Sequence, residues 1–372
     1  MNLSKPLITL LMTSCIPLSH AELVPMDDGL LSEYTGQAFI TIDNYNVTQT
    51  TAGFSGQPEE IDTEFYRINI GADMETHLSI DNLELGKFDR YENGEPCPAS
   101  GCDPSRLQEV NDADISVKDF ALGHYEKLSD GSVIDHPFKT VNPFLEFAFE
   151  NRPDGTREVI GFRIGFEQAG GVFSGDIQSL TGNIDVLIKG TEWVFGFIPV
   201  QVEGQAYLQY GEDGDQNGEN SGSLDPIRAN FIGILDGDDI SAGLIPDSYL
   251  LEITPEDCRT STGTDTCQPL NKFQSMEVGK ASDNGMVNNF FISSQSKDIA
   301  WAIDPNGNLN PSYGNNVRTG NKTMVVDENF TQTFLGAFMN IPSGGLELNP
   351  HETVEGLPRQ PTRYTDAALG LF

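Results

Sequence analysis

The chain has 372 residues, with 21 Lys and Arg against 56 Asp and Glu, a formal charge of −35 at pH 7. Such a field repels phosphate backbones and anionic lipid headgroups, which argues against nucleic acid as a partner and against acidic membranes as an anchor. A hydrophobic content of 38%, with 22 Phe and 10 Tyr, can furnish a core and argues against global disorder.

Residues 1–21 read as a signal peptide. Lys5 supplies a positive start, and Pro6 through Pro17 is an apolar run interrupted only by Thr9, Thr13 and Ser14. Ser19-His20-Ala21 then stands at the positions a signal peptidase reads, with Glu22 opening the mature chain. The run is too short to cross a bilayer, which takes roughly 20 apolar residues, and no transmembrane helix is expected in the mature chain. A rival parse takes Met12-Thr13-Ser14-Cys15 as a loose lipobox, with Cys15 as a lipidated N-terminus. Either way the expectation is export, to the periplasm, the outer-membrane surface or the medium. Cleavage after Ala21 removes Lys5 alone among charged residues and brings the formal charge to −36.

Residues 22–37 form a short N-terminal motif. A helix is expected over Asp28–Thr35, capped by Asp27 or Asp28, with Leu30, Leu31 and Tyr34 on one face and Gly36 as its stop. Residues 38–372 read as a single β-rich domain, because helical periodicity is nearly absent after this point and no composition shift marks a boundary. Phe39–Ile42 alternates as a strand, and Phe65–Ile70 follows the acidic stretch Glu59–Glu64. Phe144–Glu150 and Val159–Phe166, joined by Asn151-Arg-Pro-Asp-Gly-Thr156, predict a hairpin. Further strands are expected at Asn183–Lys189, Val194–Gln201, Gln205–Tyr210 and Asn288–Ile292. Trp193 and Trp301, the latter within Ile299–Ile303, read as packing residues rather than sugar platforms.

The chain also repeats itself once. Leu78–Arg90 aligns without gaps to Ile115–Lys127, and Leu78, Ile80, Leu83, Leu85 and Phe88 meet apolar residues throughout. Gly86 matches Gly123, and the alternation shifts phase at Asn82 and at Asp119, which predicts a bulge or corner. Repeated corners suit either a β-solenoid or neighbouring strands of one large sheet. The fold class is therefore all-β: a large twisted or rolled sheet or a sandwich, with solenoid-like repeated strands. A membrane barrel fits less well, because the strand runs are short and irregularly spaced and Gly370 interrupts the terminal alternation.

Cys97, Cys102, Cys258 and Cys267 form two close pairs, each in a polar stretch rich in Pro, Gly, Ser or Thr. They read as two local disulfide staples; neither pair has the Cys-x-x-Cys spacing of a zinc site. The strongest local chemistry is the loop Asp213-Gly-Asp215-Gln-Asn217-Gly218, with oxygen ligands at alternate positions and a glycine at the sixth. This is the first half of a Ca²⁺ loop, and Glu219 or Asp225 could complete an irregular site. Position twelve is Leu224 rather than Glu, and the competing reading is a solvated acidic turn. Asp236-Gly-Asp238-Asp239 is a weaker candidate, and Asp304-Pro-Asn306-Gly307-Asn308 reads as a turn. No catalytic residue is singled out: there is no His-x-x-x-His and no Gly-x-Ser-x-Gly, and His124 falls where the other repeat copy has Lys87, which suggests an exposed polar position rather than a catalytic one.

The segment Ala21–Ile42, with Leu31-Ser-Glu-Tyr-Thr-Gly-Gln37 at its centre, resembles a segment of exported Gram-negative proteins. Some of these are called Fil-type pilus or surface-filament subunits. The resemblance covers about 20 residues. It implies an envelope location and transfers no catalytic residue. The expectation is thus an exported structural or interaction protein of the cell envelope, self-associating or meeting other envelope proteins, and not an enzyme. A calcium-dependent glycan-binding module and a secreted hydrolase are the alternatives.

Overall fold

A computed structural model describes residues 40–52, 58–91, 97, 101–107, 113–194, 198–209, 227–233, 240–244, 248–253, 255–256, 259–260, 267–279, 285–307, 309, 316–319, 322–325 and 329–362. The chain divides into two units, Met1–Ala38 and Phe39–Phe372, and every described residue belongs to the second. The expected signal peptide and the Asp28–Thr35 helix lie outside the described residues.

The described chain is mostly strand, with almost no helix. The first eleven strands are β1 (Ile40–Ala52), β2 (Pro58–Ile70), β3 (Asp73–Thr76), β4 (Leu78–Lys87), β5 (Ala113–Leu122), β6 (His124–Lys127), β7 (Val133–His136), β8 (Phe138–Asn151), β9 (Arg157–Ser179), β10 (Gly182–Val194) and β11 (Ile198–Gln209). Six short strands come next: β12 (Phe231–Gly233), β13 (Ile240–Leu244), β14 (Ser248–Ile253), β15 (Pro255–Glu256), β16 (Arg259–Thr260) and β17 (Cys267–Pro269). They are followed by β18 (Ser275–Val278), β19 (Val287–Gln295), β20 (Ile299–Ala302), β21 (Asn316–Thr319), β22 (Lys322–Val325), β23 (Phe330–Thr333) and β24 (Gly336–Leu348). One short helix, α1 (Pro350–Glu355), was not foreseen. Asn349 and Glu352 close a capping box on it, and six residues are too few for a periodicity to show.

Sixteen strands form one sheet, whose path runs β1-β2-β8-β9-β18-β24-β10-β11-β12-β17 without closing into a barrel among the described residues. The 23-residue β9 is its spine. Along one side β9 pairs with β8 and then β5, and along the other with β19 and then β18. All these pairings are antiparallel; β24 beside β10 is parallel. The expected hairpin is the β8–β9 pair, with Phe147 opposite Phe162 and the turn at residues 152–156. The acidic stretch Glu59–Glu64 belongs to β2 itself, and β1 runs ten residues beyond Ile42. Their Asn, Thr and Glu side chains can sit in strands because alternate positions face water.

The repeat is real in space, and it is built as neighbouring strands rather than as solenoid coils. β4 and β5 run antiparallel, so Leu78 faces Leu122 and Leu85 faces Ile115, whereas a solenoid would stack like on like. The predicted phase shift at Asp119 is a bulge: Asp119 has a φ of 51°, and the pairing with β9 jumps between Lys118 and Ala121. The matched glycines share a left-handed backbone, with φ of 65° at Gly86 and 77° at Gly123. A side chain on Gly86 would strike the Asp114 carboxylate, so that position needs glycine twice over.

Two cores lie on opposite faces of the central strands. Phe290, Ala337 and Met339 belong to one, and their neighbours Phe291 and Phe338 to the other. The first core joins residues of β5, β9, β10, β11 and β24, strands that can share a core only if the sheet rolls over on itself. The second is covered by the separate β20–β23 pair, which brings Trp301 and Phe330 onto β1, β2 and β8. Trp301 is wholly buried and donates to Thr333 Oγ1 at 3.1 Å, as a packing residue should.

Candidate functional site: an apolar cavity beside two buried ion clusters

On β9, strict alternation would send Phe162 and Ile164 inward and Arg163 outward. The structure does the reverse: Arg163 is 2% exposed, while Phe162 is 42% and Ile164 51% exposed. The glycines on either side explain how. Gly161 and Gly165 share Arg163's face, and a side chain on them would collide with Ile299 and crowd Gln295 and Trp301 at one, and collide with the Phe144 ring at the other. Without those side chains, aromatic rings close over the guanidinium. The rings of Phe291 and Trp301 lie 5.0 Å from it and that of Phe144 at 5.2 Å.

Glu146 of β8 holds this cation in place. It is fully buried, pairs with Arg163 and with Arg67 of β2 at 3.2 Å, and accepts a 2.5 Å hydrogen bond from the Tyr45 hydroxyl of β1. Both guanidiniums also donate to the Ala302 carbonyl, at 3.2 Å from Arg67 and 2.6 Å from Arg163. Burial pushes the Glu146 carboxyl up, but Arg163, Arg67 and the Tyr45 hydroxyl together hold it below its ordinary value. Burial, then the Glu146 charge, drives the Tyr45 phenol well above the usual range, so it stays a donor.

A second cluster repeats the theme. Asp114 of β5 accepts from Arg90 Nε at 2.9 Å and Arg228 Nε at 3.0 Å, and from the Ala337 backbone N–H at 2.9 Å. Both guanidiniums lie against the Phe88 ring, Arg90 at 4.4 Å and Arg228 at 5.4 Å from its centre. All three charged side chains are essentially buried. Each cluster sets one carboxylate against two arginines, so the scarce cations of this acidic chain brace the interior.

A concave feature lies on the opposite face of the β9 sheet from Arg163. A cavity of about 400 Å³ is roofed by β4 and β5 through Leu78, Ile80, Leu83, Leu85, Phe120 and Leu122. Its floor is Phe162, Ile164 and Phe166 of β9, with Phe290 and Ile292 of β19 and Met339 of β24. Its polar lining residues are Ser293 and Ser294, and no titratable group is among the described residues that line it. Six of the residues that roof it are apolar positions of the internal repeat. That repeat was the signal available in the sequence, though nothing there indicated a hollow.

Cys97 and Cys102 are bridged as expected, within the excursion between β4 and β5. Cys267 is disulfide-bonded too, while Cys258 lies outside the described residues. The candidate calcium ligands Asp213, Asp215, Asn217, Glu219 and Asp225 lie outside them as well, as do Asp236, Asp238 and Asp239. Asp304 makes a turn, its carboxylate accepting from the Asn306 N–H at 2.8 Å. His124 is half-buried rather than exposed, because β6 turns it against β7, where it stacks on His136 at 4.5 Å. Burial, then repulsion from His136, lowers its affinity for a proton. No helix among the described residues is long and apolar enough to cross a membrane. No protein-family model matches the chain, and no curated protein or solved structure matches it either.

Proposed function

We propose that this is an exported, acidic structural or interaction protein of the cell envelope that self-associates through the edge of β1. One observation carries the reading. Among the described residues β1 pairs with β2 alone, leaving a 13-residue edge at the end of a large sheet. Sheet edges are ordinarily blunted by lysines, prolines, bulges or brevity. β1 has none of these: it pairs with β2 without a break, holds no Lys or Pro, and has Asp43 as its one charge. Ile40 and Ile42 are 55% and 67% exposed on it. The N-terminal signal and the segment resembling surface-filament subunits support the envelope location, since that segment runs directly into β1.

The formal charge of −35 opposes association at low salt, and screening over a Debye length of about 8 Å at 0.15 M relieves it. Sedimentation velocity and negative-stain electron microscopy of the mature chain should therefore show assembly growing from 0.05 to 0.5 M NaCl. Asn46→Lys with Thr48→Lys, both at exposed positions of β1, should keep the chain monomeric without lowering its melting temperature. A wild-type chain that stays monomeric throughout, or a double variant that assembles like it, refutes the edge as the contact.

A further inference from the structure

We infer that the cavity beneath β4 and β5 binds the hydrocarbon chain of a single-chain lipid whose head group is uncharged or zwitterionic. This does not rest on self-association through β1. The volume of about 400 Å³ falls within the range of small-molecule sites. The walls select the occupant by what they lack. Fifteen of the seventeen lining residues are apolar, and the other two are serines. Water held there would miss most of its hydrogen bonds. A peptide strand would bring N–H and C=O groups that find no partner, and each group left unsatisfied is disfavoured there. Sugar hydroxyls would suffer the same loss. A hydrocarbon chain has nothing to satisfy.

The shape favours a linear chain over a compact ring. From the floor an apolar row crosses the open sheet in register: Met339, Ile292, Ile164, Leu145, Ile68 and Ile42 face one another on successive strands. Five strand spacings of roughly 4.8 Å make this track about 24 Å long, the scale of a long acyl chain. Leu78, Phe162 and Ile164, 40%, 42% and 51% exposed, stand where cavity and track meet. A flat protein partner would cover the track and leave the hollow empty.

The head group follows from charge. No Lys, Arg or His lines the cavity, and a carboxylate at its mouth would meet a chain of formal charge −35. Beside the track, Arg157 lies 4.7 Å over the Phe149 ring and is paired to Glu64 at 2.7 Å, so it is already neutralised. Among the described lining residues a fatty-acid anion therefore finds no counter-charge, whereas a zwitterionic or uncharged head can remain in water at the mouth.

The test uses the delipidated mature chain with 1-palmitoyl-lysophosphatidylcholine, monopalmitoylglycerol and palmitate at pH 8, all below micelle formation. Isothermal titration calorimetry gives Kd, and native mass spectrometry gives stoichiometry. The first two probes should bind saturably at one per chain, and palmitate at least tenfold more weakly. Phe162→Asp puts a charge at the exposed mouth, and Leu83→Trp fills the hollow; each should raise Kd at least tenfold. Val354→Asp, 66% exposed on α1, should leave Kd within twofold. Should Leu83→Trp fail to fold, Phe162→Asp carries the test alone, since 42% of that residue is already exposed. Absence of saturable binding, indifference to Phe162→Asp, or palmitate binding as tightly as the other two would overturn the inference. So would formation of protein dimers that exclude the lipid.

Discussion

Glu146→Gln is the sharpest test of the interior. The replacement keeps the size and shape of the side chain and removes its charge, so no cavity term enters. Left behind are Arg67 and Arg163, 6% and 2% exposed, with the one carboxylate that compensated them gone. Breaking a buried ion pair from one side typically costs about 3–5 kcal/mol, because the surviving charge has neither water nor a partner. Here two charges survive, and the Tyr45 hydroxyl must then donate to a neutral amide, so the upper part of that range is expected. With a urea m-value of about 3 kcal/mol/M, the unfolding midpoint should fall by roughly 1–2 M. Trp301 fluorescence is a suitable probe, since the ring is wholly buried and lies 5.0 Å from Arg163.

The pH dependence supplies a second reading of the same variant. Because Glu146 is held below its ordinary value in the folded state, its contribution is complete above the unfolded value of about 4.3 and is lost as pH falls through the lower folded one. Glu146→Gln should therefore flatten the acid limb of the wild-type stability curve. Replacing all three charges, as Glu146→Leu with Arg67→Met and Arg163→Met, should cost less than Glu146→Gln alone, since nothing charged then remains buried. A loss below about 1 kcal/mol at pH 7 would refute the cluster as described. An unchanged acid limb would do the same.

His124 should make stability sensitive to mild acid. Its proton affinity is lowered by burial and by His136, with Glu277 and Glu126 opposing and His77 adding to the repulsion. The neutral form is thus favoured by folding: stability is full above the unfolded value of about 6.5 and declines as pH falls from there toward the lower folded value. His124→Asn should reduce the difference in urea midpoint between pH 7.5 and 5.5, and an unchanged difference counts against it. The acidic loop makes a separate prediction. Millimolar Ca²⁺ should raise the melting temperature above equal Mg²⁺ and above NaCl of matched ionic strength, and Asp215→Ala should remove the increment. Three salts acting alike would reduce the loop to a solvated turn.

Read one residue at a time, the chain announces strands, turns and staples, because these depend on neighbours close in sequence. Alternation and turn residues located the β8–β9 hairpin, and spacing paired Cys97 with Cys102. The phase shift at Asp119 marked a true bulge. Alternation, with helical periodicity nearly absent, decided the all-β class, and composition decided the strong negative charge. What alternation cannot decide is which face of a strand goes inside. On β8 and β9 the face bearing Glu146 and Arg163 is the more deeply buried, and the face bearing Phe147 and Phe162 is the more open. That choice depends on partners more than a hundred residues away: Trp301 and the Ala302 carbonyl arrive on β20 to cover the ions. The direction of the repeat was equally hidden. Two matching segments can stack in parallel or pair head to tail, and only the return of the chain after the Cys97–Cys102 excursion makes them antiparallel. The hollow beneath β4 and β5 follows from that return. Each leucine in its roof reads locally as core, and only the rolled sheet decides that they face one another across a space that the protein's own described side chains leave open.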